Sequence, residues 1–256
     1  MTQIDGTSVT LAFVPIPDGH AHPPIFYGMG EGACALGSVN AGNAATLDIG
    51  GGGINRGFKA VLSKAGHDIG AYETRHTALA AKIGTDGTET EVYDPAPGEA
   101  LRLIHAYAKG ARTSASGHRT GLAFVDVFAQ RNCPDGNTHN AAMVYACPPF
   151  GDDDPDDDAF LTAVEATAAT IVEAVGSYNA VAPDHGAPAI EALRLRLYSS
   201  GIYNRTPKVP ADRIARHIFA GLSAALARDA GGIRRVELPV SGDPSDRLFD
   251  VLEAGG

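Results

Sequence analysis

The chain has 256 residues, 44% of them hydrophobic, which suits one large domain or two small ones with ample length to bury a core. Its formal charge of −10 at pH 7 argues against the basic stripe that a nucleic-acid or anionic-membrane surface requires, so any anion it binds must be held locally. The three cysteines, Cys34, Cys133 and Cys147, are odd in number and outside any CxxC pattern, which indicates neither a disulfide framework nor a zinc site. No apolar run approaches the ~18 residues of a membrane span, and Met1 to Asp5 lack a basic start, so an intracellular, cytoplasmic chain without a membrane segment is expected.

In chain order, Ser8 to Pro15 alternates Val9, Leu11 and Phe13 with smaller residues and reads as a strand. A Pro- and Gly-rich connection follows. His20 and His22 sit beside it, a metal pair by spacing but without a third ligand, so a surface loop is the better reading. Ala35 to Val39 reads as a short buried strand. Asn55 to Lys64 carries Phe58, Val61 and Leu62 at helical spacing, and a second helix spans about Ile69 to Ile83 before a turn-rich segment, Gly84 to Pro97. Gly98 to Ala108 and the almost continuously apolar Ala141 to Pro148 read as strands, the second covered on both faces. Lys109 to Asn140 reads as an insertion with one strand of its own at Leu122 to Phe128, with His118 and His139 as solvated loop residues.

The aspartate run from Asp152 to Asp158 invites a metal, but it lacks EF-hand spacing and leads straight into an amphipathic helix, Asp156 to Val175, so a charged helix start is expected and no metal. Tyr178 to Pro188 reads as a loop, and Ala192 to Tyr198 as a strand with Arg194 and Arg196 on a partly polar face. Ala211 to Arg228 is an amphipathic helix, Ile233 to Val240 a last strand and Pro244 to Glu253 a short helix. Alternating strands and helices imply an α/β sheet with helices on both faces.

One stretch stands apart: the four glycines Gly50, Gly51, Gly52 and Gly53, running into the helix at Ile54 and Asn55. Such a run before a helix N-terminus suits a closely approaching anion such as phosphate, or else a solvent loop. A second glycine-containing loop, Ser199-Ser200-Gly201-Ile202-Tyr203-Asn204, follows a later strand and also precedes a helix.

Together with Val39-Asn40-Ala41-Gly42-Asn43, these two loops resemble the macrodomain family, in which a strand ending Val-Asn-Ala-x-Asn precedes a Gly-Gly-Gly-Val/Ile-Asp loop and a later strand runs into Ser-x-Gly-Ile-Tyr/Phe-Gly. The likeness spans about Ser8 to Leu252, as a single domain over 1–256 with the insertion at about 109–140. It implies a three-layer α/β/α sandwich around a mixed sheet of roughly six strands, with ADP-ribose across the strand ends and no cofactor. The backbone N–H groups of Gly51, Gly52, Gly53 and Ile54 and those of Ser200, Gly201, Ile202 and Tyr203 would clamp the diphosphate from two sides, with Asn55, Ser199 and Asn204 as further ligand-binding candidates. Tyr203 would pack on the distal ribose or the diphosphate, Asn43 would hydrogen-bond ribose hydroxyls, Asn40 would tie the loop to the backbone, and Asp18 is the candidate for adenine.

The departures bear on chemistry. Hydrolytic members place an Asp where this chain has Asn55, and a neutral amide cannot take a proton from water. Asp48 is the candidate substitute, and for hydrolysis Asn43 would place the ribose while Asn55 or Asp48 orients the water. The resemblance therefore implies binding of ADP-ribose or ADP-ribosylated protein, with hydrolysis of ADP-ribosyl groups or of O-acetyl-ADP-ribose as the alternative. A dinucleotide-dependent oxidoreductase is a third reading, disfavoured because no GxGxxG follows the first strand.

Overall fold

The computed structural model describes residues 2–15, 35–50, 53–64, 69–94, 101–128, 131–132, 138–139 and 141–240. Its strands are β1 (Thr2–Gln3), β2 (Thr10–Pro15), β3 (Ala35–Ala41), β4 (Asp86–Val92), β5 (Leu101–Thr113), β6 (Arg119–Phe128), β7 (Arg131–Asn132), β8 (Thr138–His139), β9 (Ala141–Ala146), β10 (Ile190–Arg194) and β11 (Arg235–Val240). The helices are α1 (Gly53–Lys64), α2 (Gly70–Ile83), α3 (Asp157–Val181) and α4 (Ala211–Arg228).

Nine strands form one mixed sheet in the order β1-β2-β11-β10-β3-β9-β6-β5-β4. From β2 to β9 the neighbours are parallel, whereas β6, β5 and β4 continue as an antiparallel meander. The three strands beyond the expected six are the two-residue β1 at one edge, β4 at the other, and β6. Gly84 to Pro97, expected as turns, contains β4: its Thr-Glu-Thr-Glu pattern gives no apolar face, because both faces of this edge strand are largely exposed. The expected insertion holds β6 with Leu122 to Phe128, a strand between β9 and β5 in the main sheet.

Each face of the sheet has its own core. On one, Val39, Val125, Val144 and Leu193 pack under α3 and α4, through Phe160, Val164, Ile171, Ile218 and Leu222. On the other, Ile104, Phe124, Met143 and Tyr145 meet Phe58 and Leu62 of α1 and Leu79 and Ile83 of α2. Strand β9 shows the rule, since Ala142, Val144 and Ala146 belong to the first cluster and Met143 and Tyr145 to the second. Burying each large apolar side chain is worth about 1.5–3 kcal/mol. The layers are therefore helix pair, sheet, helix pair.

Helix α3 runs on to Val181 and a 3-10 turn, beyond the point where a loop was expected, because Tyr178 is itself a core residue whose hydroxyl donates to the Pro188 carbonyl at 2.7 Å. The stretch Asp157–His185 is long and apolar enough to cross a membrane by length and composition alone, with a mean hydropathy of 1.4, and 56% of that window is buried within the protein. Arg194, expected on a partly polar strand face, is fully buried and donates to Glu237 of the neighbouring strand from Nε at 2.9 Å and Nη2 at 2.7 Å. Arg196 is buried as well. The expected helix at Pro244 to Glu253, like His20 and His22, lies outside the described residues.

Candidate functional site

Strands β3 and β10 are parallel neighbours near the middle of the sheet, and the two loops singled out in the sequence leave from their carboxyl ends. This is where an open α/β sheet has its crevice. At the exit of β3, Gly42 donates to the Ala146 carbonyl at 2.9 Å, and a Cβ there would collide with the Tyr145 ring, so the chain can cross β9 only at a glycine. Asn43 then starts a tight turn: its Oδ1 accepts from the Ala45 N–H at 3.0 Å, and its carbonyl accepts from Leu47 at 2.8 Å. Leu47 is fully buried with a left-handed φ of 57°.

Three side chains hold this loop from below. The Tyr145 hydroxyl lies 3.0 Å from the Asn43 carbonyl and 2.8 Å from that of Asp48. Asn55, early in α1 and almost fully buried, donates to the Asp48 carbonyl at 3.1 Å and to the Gly50 carbonyl, while its Oδ1 accepts from Asn40 Nδ2 at 2.8 Å. His76 of α2 reaches the Leu47 carbonyl at 3.1 Å. Asn40 thus acts on the side chain of Asn55, and both of the Asn55 amide protons are used to close the loop. Asp48 Oδ1 is buried without a hydrogen-bond partner among the described residues. A hydrogen bond with Asp48 holds the Glu73 carboxyl above its ordinary range, with burial adding to the effect. Gly53 is the first residue of α1, followed by Ile54; Asp18, Gly51 and Gly52 lie outside the described residues.

The second loop begins at Ser199, buried, at φ 59°, with an Oγ that has no hydrogen-bond partner among the described residues. Ser200 is half-buried and Gly201 exposed, and Ile202 at the tip is 71% exposed. Tyr203 turns back inward. Burial pushes its hydroxyl up to about 12, against a hydrogen bond with the Ala44 backbone. Asn204 closes the turn, with Nδ2 donating to the Val209 carbonyl and Oδ1 accepting from the Val209 N–H, each at 3.0 Å. Both loops thus leave the carboxyl ends of adjacent parallel strands, and Tyr203 is the residue of the second that turns from the exposed tip toward the interior.

Beyond Tyr203, the aspartate run meets the β5–β6 turn around a cavity of about 200 Å³ lined by Arg112, Ser114, His118, Phe150, Asp153 and Asp154. His118, expected in solvent, stacks on Phe150 with centroids 4.4 Å apart, because Asp153 reaches its Nδ1 at 3.1 Å. Ser116 Oγ lies 2.7 Å from the same Nδ1 and 2.5 Å from Asp153, and Ser114 Oγ lies 2.7 Å from Asp153. Although burial pushes the Asp153 carboxyl up, the Ser116 and Ser114 hydroxyls and His118 hold it below its ordinary range. A catalytic triad needs the acid and the nucleophile on opposite ring nitrogens. Here both crowd Nδ1, which makes the group a brace. The rest of the run is partnered too: Asp154 with Arg112 at 3.0 Å, Asp157 with Arg205 at 3.2 Å, and Asp156 as the cap of α3, accepting from Ala159 at 2.8 Å. Among the described residues no group of three or more acidic, His or Cys side chains is placed to hold a metal.

Sequence reasoning missed His76 and its partner Asp126. The signal was Asp126 alone inside the apolar run from Leu122 to Phe128, a position where a charge needs a partner.

Comparison with known proteins places these features in context. The family model described as the mitochondrial association factor 1 C-terminal domain matches residues 109–255. The DNA/RNA-binding protein ALBA4 of Plasmodium yoelii yoelii is 26% identical over 197 residues, covering 73% of this chain and 52% of that protein, and ALBA4 of Plasmodium falciparum gives the same figures. The chain spans about half the length of these curated relatives. Among solved structures, a macrodomain mutant from Oceanobacillus iheyensis aligns with a TM-score of 0.51 at 12% identity, covering 99% of this chain and 93% of that one. A Trypanosoma brucei macrodomain in complex with ADP aligns with a TM-score of 0.49 at 12% identity, over 94% of this chain and 68% of that one.

Proposed function

The chain belongs to the mitochondrial association factor 1 C-terminal domain family and has a macrodomain-like fold, and on that premise we propose that the crevice between its two loops binds ADP-ribose, free or attached to a protein. The observation that carries the reading is that the loops after β3 and β10 leave the carboxyl ends of adjacent parallel strands, with the first of them running into the α1 N-terminus. A diphosphate is suited to such a place, where backbone N–H groups and a helix dipole supply positive potential without any basic side chain. The unpartnered Ser199 hydroxyl adds a donor. Tyr203 offers a ring against a ribose, and the exposed Ile202 a contact with whatever carries the nucleotide.

Binding is favoured over hydrolysis because Asn55 has no amide proton left to orient a water. The reading is tested by titration calorimetry of the chain with ADP-ribose and, separately, with NAD. The expected result is saturable ADP-ribose binding, tighter than NAD, and weakened about tenfold or more in Tyr203→Ala by loss of the ring contact. Absence of ADP-ribose binding, or tighter binding of NAD, overturns it.

A further inference from the structure

Beneath the loop after β3 lies a pair of buried titratable groups that the binding reading does not use. His76 of α2 and Asp126 of β6 are both fully buried, with His76 Nε2 lying 3.0 and 3.2 Å from the two carboxylate oxygens. The ring is fixed in place by stacking on Phe124, centroids 4.3 Å apart and 16° between planes, and by Tyr145 at 4.8 Å. Its other nitrogen, Nδ1, faces the Leu47 carbonyl at 3.1 Å. A carbonyl accepts and does not donate, so this contact is a hydrogen bond only when Nδ1 carries the proton.

The residue so held is the one described non-glycine in this loop with a left-handed φ, a conformation that a leucine adopts only when its surroundings impose it. Leu47 sits between Asn43, which takes its N–H, and Asp48, whose carbonyl takes Tyr145 and Asn55. Its backbone conformation therefore sets the course of the turn from Asn43 to Asp48.

We propose that His76, held in register by Asp126, is a positioning residue for ADP-ribose binding: by donating from Nδ1 to the Leu47 carbonyl it fixes the loop after β3 in the shape that faces the Ser199 to Asn204 loop. The proposal rests on the ADP-ribose reading of that crevice. It makes His76 act through Leu47, without touching the ligand.

The test separates positioning from stability. In the double variant His76→Leu with Asp126→Leu, both buried polar partners are replaced together by apolar groups, an exchange that buried polar pairs often tolerate without loss of stability. In Asp126→Asn the side-chain amide can donate to Nε2, which leaves the Nδ1 proton on Leu47. ADP-ribose affinity is expected to stay within about threefold of wild type in Asp126→Asn and to fall about tenfold or more in the double variant at an unchanged unfolding midpoint. Protection of the Leu47 amide from hydrogen exchange should be lost only in the double variant. Wild-type affinity in a folded double variant overturns the proposal. A second measurement needs no variant: the imidazole ¹⁵N spectrum of the wild-type chain must show a protonated Nδ1, and a bare Nδ1 overturns the proposal whether or not the variants fold. If the wild-type chain binds no ADP-ribose, the binding reading fails, and with it the ligand role of His76, whereas the ¹⁵N spectrum and the Leu47 exchange still decide the loop contact.

Discussion

Asn55 shows how a residue's type and its place in a loop settle different questions. Its position after the glycines is legible in the sequence, and so is the absence of a carboxylate there. What the amide does instead depends on carbonyls at Asp48 and Gly50 and on Asn40, which local spacing does not reveal. The geometry gives a sharp expectation for Asn55→Asp, the substitution that restores the residue type of the hydrolytic pattern. A carboxylate would face two carbonyl oxygens at close range, with no proton to give either, in a nearly solvent-free position. Asn55→Asp should therefore lower stability by about 2–3 kcal/mol in urea denaturation, the cost of unpaired buried acceptors, and release no ADP-ribose from a glutamate-linked substrate. Release of ADP-ribose by a stable Asn55→Asp variant would show that the loop re-forms around the acid. His76 and Asp126 were less legible still, because their partnership spans fifty residues of sequence and depends on α2 lying over β6.

At the scale of elements, periodicity revealed the four helices and the buried parallel strands, since each has one or two apolar faces of clear period. It failed for β4, whose faces are largely exposed, and it set β6 apart as part of an insertion, because pairing partners are not written in composition. A histidine shows how these elements are joined. His105 of β5 lies between the Thr90 hydroxyl of β4 at 2.7 Å and the Ser177 hydroxyl of α3 at 3.0 Å. A hydroxyl donates or accepts, so a neutral imidazole satisfies both. Burial, with the charge of His185 adding, pushes the His105 imidazole down to about 4. The folded-state value lies below the unfolded value of about 6.5, so the unfolded chain binds the extra proton and stability is lost as pH falls from about 6.5 toward about 4. The loss should approach about 3 kcal/mol as an upper figure at 1.36 kcal/mol per unit. Urea denaturation at pH 7 and pH 4.5 measures it, with His105→Gln as the reference that lacks this component. Equal pH dependence in the two proteins would show that His105 is not the proton acceptor.

For the molecule as a whole, the proposed binding requires a chain of charge −10 to hold a dianion. Two arginines near the second loop are committed elsewhere: Arg205 donates to the Gly151 carbonyl at 2.7 Å and pairs with Asp157, and Arg112 pairs with Asp154. On the proposed reading the attraction comes from short-range N–H groups and the α1 dipole, which salt barely screens, while the repulsion comes from the distributed negative charge of the whole chain, which salt screens over a Debye length of about 10 Å at 0.1 M. The two terms respond differently to ionic strength. ADP-ribose affinity is therefore expected to hold constant or to strengthen by up to about threefold as salt rises from about 0.05 to about 0.5 M. Ligand recognition through a cluster of basic side chains predicts the opposite slope, as in nucleic-acid binding, where each neutralised phosphate releases counterions and affinity falls steeply with salt. A tenfold loss of ADP-ribose affinity over that range would mean that cationic side chains, and not the backbone of the two loops, carry the diphosphate.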